Sequence, residues 1–277
     1  MAKDDDMILF RIEDNVGIIT LNRPDKLNAV SWELAEELAE LLVSIRYNDD
    51  VRSVLIHGAG RAFCAGGDVD WISGDSDRPM PGTSDPSRPI PRSQRKTPGG
   101  PFFEVVRQLI KVDKPVIAAI HGAAVGAGLA YSLACDRRFG DTTTRMSAIF
   151  TKIGVAPDCG MSYFLPKIVG LPDALMMVET AKLFEAQQCK EMGLLDELVE
   201  EGRAYEAALA YAKSVASRAS VAVDMARRLI HMSAQGATLE EILDYEGIAG
   251  VVVAYTNDAK EGTAAFLEKR KPEYKGN

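Results

Sequence analysis

The stretch KPVIAAIHGAAVGAGLAYSLACD, residues 114–136, decides the fold class. It opens as a strand of β-branched residues and alanine. It then passes through the small-residue turn 121–128 and continues as a helix from about Gly128. The same alternation recurs on the N-terminal side. VGIITLNRP (16–24) reads as a strand closed by a proline turn, and VRSVLIHGAG (51–60) as a second buried strand running into glycine. Between them, SWELAEELAELLVSIR (31–46) places Leu34, Leu38, Leu41, Leu42 and Ile45 at helical spacing. Ser31 serves as N-cap and Glu33 sits favourably in the first turn. Strands alternating with helices, the strands largely buried, specify an α/β fold.

Beyond residue 200 the pattern becomes helical almost throughout. RAYEAALAYAKSVASRA, VAVDMARRLIHMSAQG, TLEEILDYEGIAGVVVAY and DAKEGTAAFLEKRK each carry apolar residues three or four apart, several on more than one face. Apolar groups on two faces predict packing against another subunit. The expected organisation is a core over residues 1–200 and a helical oligomerisation region over 201–277. Residues 72–101 differ in character, with six prolines between positions 79 and 98 and few large apolar groups. They predict a mobile, lid-like insertion within the core.

The bulk properties exclude several classes. The 277 residues are 47% hydrophobic and 26% charged, the balance of a globular protein. A net charge of −8 argues against nucleic acid or anionic lipid as a partner. The acidic start MAKDDDMILF is unlike a signal peptide, and no uninterrupted apolar run reaches membrane-spanning length, so a cytoplasmic location is expected. Cys64, Cys135, Cys159 and Cys189 are widely spaced and form no metal-ligand cluster with His57, His121 and His231. They read as reduced thiols, and the histidines as packed or surface residues. No metal is expected; Asp68, near Asp70, reads as a loop or helix-start residue.

Two turns rich in small residues follow strands: FCAGGD (63–68) and HGAAVGAG (121–128). Backbone N–H groups approach a ligand closely only where side chains are absent, although tight strand–helix packing explains such turns equally. The second has neither GK[ST] nor the spacing of a dinucleotide fingerprint. A third segment, TKIGVAPDCGMSYFLP (151–166), holds one acid, Asp158, among apolar and small residues. Asp158 is either the N-cap of the following helix or a catalytic base.

LNRPDKLNAV, RAFCAGGDVD, the 114–136 stretch, TKIGVAPDCGMSYFLPKIVG and KEGTAAFLEKRKPEY occur in the order found in the crotonase (enoyl-CoA hydratase/isomerase) superfamily. The resemblance extends from about residue 8 to 275, apart from the proline-rich insertion. It implies a spiral core of ββα units, a C-terminal helical region that forms a homotrimer or homohexamer, and an acyl-CoA thioester substrate with no separate cofactor. Carried onto this chain, the N–H groups that bind the thioester oxygen belong to Gly67 and Ala127. The glutamates that hydratases use fall on Ala130 and Phe150, neither of which exchanges a proton. Superfamily members that move a double bond, dienoyl-CoA isomerases among them, have an aspartate at the position of Asp158. Within the superfamily the chain is most similar to the 1,2-epoxyphenylacetyl-CoA isomerase-like enoyl-CoA isomerases, which share the PDCG turn and the phenylalanine. Ile149, Phe150, Val155 and Phe164 are expected to keep the site dry and raise the carboxyl's pKa. The resemblance also places the CoA moiety at Lys26, Leu27, Ala29, Ala65 and Asp68, with Phe266 and Lys269 contributed by a neighbouring subunit. The expected activity is enoyl-CoA isomerisation. Enoyl-CoA hydration is the alternative; dehalogenation, thioester hydrolysis and non-catalytic binding rank below it.

Overall fold

The computed structural model describes residues 6–68 and 99–277. Five parallel strands carry the fold, and the first three of them in chain order are buried on both faces. β2 (Val16–Leu21) is buried at every position and pairs in parallel with β3 (Ser53–Gly58). β4 (Val116–Ile120), β6 (Arg137–Asp141) and β9 (Glu197–Val199) extend the sheet on that side. β1 (Ile8–Glu13) adds an antiparallel edge to β2. A second sheet has the order β5 (Ala123–Val125), β7 (Arg145–Ser147), β8 (Phe184–Glu185).

The period-two alternation of each strand sorts its side chains into two cores. Val16, Ile18, Leu55, Ile117, Ala119 and Phe139 meet Ala208, Ala212 and Ala216 of one helix, α7 (Ala204–Ala216). Alanine at every fourth position gives that helix a low-relief face that lies close on the sheet. Ile19, Leu21, Val54, Ile56, Val116, Ala118 and Ile120 point the other way. They pack with α1 (Trp32–Arg46), α2 (Gly100–Lys111), α3 (Ala127–Leu133) and α4 (Met161–Val169). The expected Ser31 cap is present: its hydroxyl accepts from the Leu34 amide at 3.3 Å.

Residues 72–98 of the expected insertion lie outside the described residues. Its last three are not loop. Gly99 caps α2, and Pro101, buried, occupies the first turn, where a missing amide costs nothing. The remaining described helices are α5 (Leu171–Thr180), α6 (Ala186–Glu191), α8 (Ser220–Ala234), α9 (Leu239–Ala254) and α10 (Asn257–Glu268). α7 belongs to the packing of the sheet, whereas α9 buries only Ala249 and leaves Leu243, Ile248, Val251 and Val252 exposed. Among the described residues no helix is long and apolar enough to cross a membrane.

α8 is fastened to the sheet by one carboxylate. Asp136, at the end of the 114–136 stretch, accepts from the Val116 amide at 2.7 Å and from Arg227 Nε at 2.7 Å; His231 Nε2 lies 2.6 Å from its other oxygen. Burial pushes this carboxyl up, but His231 and Arg227 more than offset it and hold it below the usual carboxylate range. A depressed carboxyl stabilises the folded state above its unfolded pKa, and that contribution is lost as pH falls through the folded value. Asp136→Asn strands a buried guanidinium and is expected to cost about 3 kcal/mol in denaturant unfolding at neutral pH. The gap between variant and wild type should close as the medium is acidified.

Candidate active site

The segment Phe63–Asp68 runs between two neighbours and bonds to both. On one side Phe63 N–H donates to His121 O at 2.8 Å, Cys64 N–H to Ala123 O at 2.9 Å, and Cys64 O accepts from Val125 N–H at 3.0 Å. On the other, Ala65 N–H donates to Leu27 O at 3.0 Å, Val30 N–H to Gly66 O at 2.7 Å, and Asp68 N–H to Val30 O at 2.9 Å. The amide of Gly67 has no partner among the described residues. Neither does that of Ala127, the first residue of α3, which has no carbonyl four residues back in its own helix.

Glycine brings these two amides into one place. Gly66 has φ +100°, and a Cβ on it would stand 2.9 Å from Val125 O and 3.7 Å from Ala127 N. At Gly128 a Cβ would stand 2.3 Å from Cys64 O, so α3 lies against the 63–68 segment at backbone distance. Both small-residue turns therefore serve packing, and the packing delivers two unpartnered amides to one cavity wall.

That cavity has a volume of about 440 Å³. Ala65, Gly67, Ala127, Ile149, Phe150, Val155 and Asp158 all line it, so sequence positions spread over nearly a hundred residues converge there. Trp32, Phe102 and Phe103 complete an apolar wall, with the Trp32 and Phe102 rings edge-on at 6.2 Å. Phe164 does not belong to it. That ring lines a separate groove of about 800 Å³ bordered by α4, α7 and α8. The groove is larger, but its Asp136, Arg227 and His231 are satisfied by one another.

The structure removes one of the two readings of Asp158. α4 begins after Gly160 with no side-chain cap, and Asp158 contributes only its main-chain oxygen, which accepts from Met161 N–H at 2.8 Å. The carboxylate is left for the cavity. Positive φ at Cys159 (+49°) and Gly160 (+78°) turns the chain there. Desolvation holds the Asp158 carboxyl above the ordinary aspartate range, partly opposed by a hydrogen bond from Cys159. The expected dryness is incomplete: Phe150 is buried, but Asp158 and Ile153 are exposed at the mouth.

The other expected residues divide. Lys26, Leu27 and Ala29 occupy the turn bonded to the 63–68 segment. Asp68 is buried with its carboxylate 2.8 Å from Arg23, so that side chain is committed to an ion pair. Phe266 and Lys269 are exposed on and just beyond α10 and do not line the cavity. Sequence reasoning overlooked Arg23 and Asn28, which shape this turn. Asn28, fully buried at φ +57°, donates to Ala59 O and Ala62 O and accepts from the Arg23 amide. An asparagine within a proline turn was the available signal.

With this geometry in place, the likenesses to known proteins become interpretable. The profile of the enoyl-CoA hydratase/isomerase family matches residues 11–277. The chain belongs to that family. This enoyl-CoA hydratase/isomerase homologue is 32% identical to 1,2-epoxyphenylacetyl-CoA isomerase of Escherichia coli, over 98% of this chain and 99% of the relative. It is 28% identical to short-chain-enoyl-CoA hydratase of Clostridium acetobutylicum, over 96% of each. The crystal structure of enoyl-CoA hydratase from Bacillus anthracis superposes with a TM-score of 0.86 at 31% identity, covering 98% of this chain and all of that one. The crotonase fold expected from the five ordered motifs is the fold observed. Gly66→Ala places a methyl group against Val125 O and strains φ. It is expected to lower kcat/KM on enoyl-CoA substrates by about 100-fold, the scale of losing one oxyanion donor, as read by steady-state kinetics.

Proposed function

We propose that the protein is an enoyl-CoA isomerase, which shifts a double bond of an acyl-CoA thioester by proton transfer through an enolate. The observation that carries this reading is the composition of the cavity: among the described residues that line it, Asp158 is the one carboxylate. A hydratase needs two proton-handling groups, one to activate water and one to deliver a proton. The positions that would hold them are Ala130, buried within α3, and Phe150, buried in the wall. A 1,3-shift needs one base.

The chemistry follows from the arrangement. Asp158 takes a proton from the carbon beside the thioester, the electron pair moves onto the carbonyl oxygen, and the same carboxylic acid returns the proton two carbons further along. The Gly67 and Ala127 amides face the oxygen on which charge develops, so they favour the transition state over the ground state. One such donor is typically worth about 3 kcal/mol. A raised carboxyl pKa makes Asp158 a stronger base. The step requires no metal or redox cofactor; CoA arrives as part of the substrate. Ala65 borders the cavity, and Lys26, Leu27 and Ala29, in the turn bonded to its segment, would carry the nucleotide arm, with Asp68 holding Arg23 beside them. Phe266 and Lys269 would reach that arm from a second copy in a homotrimer or homohexamer. The exposed Leu243, Ile248, Val251 and Val252 of α9 support such an assembly.

Asp158→Asn is expected to abolish isomerisation of a 3-enoyl-CoA, at least 1,000-fold down on the order of general-base losses, while acyl-CoA binding persists. Full turnover in this variant rejects the assignment. Because the base works deprotonated, kcat/KM should rise with pH through a midpoint above the ordinary aspartate value. Hydration of crotonyl-CoA that outpaces isomerisation selects the hydratase alternative. Light scattering on the eluted protein should give three or six chains per particle.

A further inference from the structure

The aromatic wall of the cavity stands on the N-terminal ends of two helices. Trp32 is the first residue of α1, and Phe102 and Phe103 lie at the start of α2. The two ends are packed on each other: a Cβ on Gly100 would stand 2.6 Å from the Trp32 ring. Tyr131 O–H donates to Phe102 O at 3.2 Å and so holds this end of α2. The far end of the helix, Lys111, lies roughly 17 Å away at 1.5 Å per residue. The last carbonyls of a helix have no partner within it and must find one elsewhere. For α1 the core supplies it, because Lys114 Nζ donates to Ile45 O at 2.7 Å and to Asn48 O at 2.5 Å.

For α2 the partner comes from the C-terminal helical region. Arg227, in the middle of α8, donates from Nη1 to Ile110 O and from Nη2 to Leu109 O, both at 3.1 Å, while its Nε holds Asp136. The side chain is 7% exposed, and each of its three nitrogens has an acceptor. A cation at a helix C-terminus is also favoured by the helix dipole. α8 buries no residue of its own, so polar contacts carry much of its seat on the core. Arg228 pairs with Asp113 at 2.8 Å, and His231 lies 2.6 Å from Asp136. Of these three side chains, Arg227 is the one that bonds to α2. Among the described residues that line the cavity, none belongs to α8.

We propose that Arg227 is a positioning residue for the acyl cavity: from α8 it caps the far end of α2 and so fixes the aromatic wall carried at the near end. The seating of α8 and the occupancy of the cavity are then one coupled equilibrium. This rests on the cavity receiving the acyl group and not on which reaction follows. The planar guanidinium is suited to the task, since one rigid fork spans two carbonyls and a carboxylate. An ammonium would keep the charge beside Asp136 but could not hold all three in that geometry.

The test compares hexanoyl-CoA, which fills the cavity, with CoA, which lacks the acyl group, by titration calorimetry on the full-length protein. Arg227→Lys is expected to weaken hexanoyl-CoA about tenfold and CoA less than twofold. His231→Gln loosens α8 at the same carboxylate but leaves the α2 carbonyls capped, so both affinities should stay within twofold of wild type, whatever its loss of thermal stability. Coupling is reciprocal. In the wild-type protein hexanoyl-CoA, and not CoA, should therefore slow amide hydrogen exchange in α8, a measurement that needs no variant to fold. Equal losses for the two ligands in Arg227→Lys, the same selective loss in His231→Gln, or exchange in α8 indifferent to the acyl group overturns the proposal. None of these readings needs turnover, so a failed isomerase assay leaves them standing. Wild-type protein that binds hexanoyl-CoA no better than CoA overturns the acyl cavity itself, and this proposal with it.

Discussion

Two peptide amides can share one small ligand atom only if their backbones come within a few ångströms of each other, and side chains forbid that almost everywhere. In this chain the approach is made by Gly66 and Gly128. A methyl group on Gly66 would collide with Val125 O, and one on Gly128 with Cys64 O. The surrounding strands are arranged so that the approach is held from both sides. The 63–68 segment is bonded to the 27–30 turn and to 121–125, and each neighbour continues into the sheet or its covering helices. Asn28 and the Arg23–Asp68 pair then satisfy the polar groups that the tight turn would otherwise bury unpaired. The cavity wall is thus a consequence of backbone packing, and its chemistry is supplied by atoms present in every residue.

What such a wall does with a thioester depends on the proton-handling groups opposite it. Here the opposing side is almost wholly apolar: Ile149, Phe150, Ile153 and Val155, with one carboxylate. An arginine or lysine beside that carboxylate would lower its pKa and blunt it as a base. Asp158 instead feels desolvation and a single weak donor. The same scaffold with two carboxylates could divide the work between an acid and a base. With one it can pass a proton out and back along the same molecule.

The fold was legible because its signals are repetitive. The 114–136 stretch, the two strands at 16–21 and 53–58, and the helical spacing after residue 200 each follow from side-chain period alone. α2 was hidden by its neighbours. Phe102, Val105 and Leu109 have helical spacing, yet the run of prolines before them made Gly99–Pro101 read as loop, although proline suits a helix's first turn. The site was legible in its glycines and its aspartate, which stand out by type. Phe164 was misplaced because a residue three positions into a helix can face either of two cavities, and sequence does not fix the helix's rotation. The Arg23–Asp68 pair was unreadable for a different reason: its meaning lies in partners distant from each other along the chain.

In the mechanism proposed above, the exposure of Asp158 bears on how the base acquires its strength. In the free protein water reaches the carboxylate at the cavity mouth, even though the protein around it already pushes its pKa up. An acyl chain occupying the 440 Å³ cavity takes the place of that water, and the thioester oxygen engages the two amides at the same time. Binding then removes solvation from the anion that must take the proton while supplying donors to the anion that will form. Basicity, already raised in the free protein, then rises further in the complex together with enolate stabilisation. Such coupling suits a site whose reactive intermediate is quenched by water.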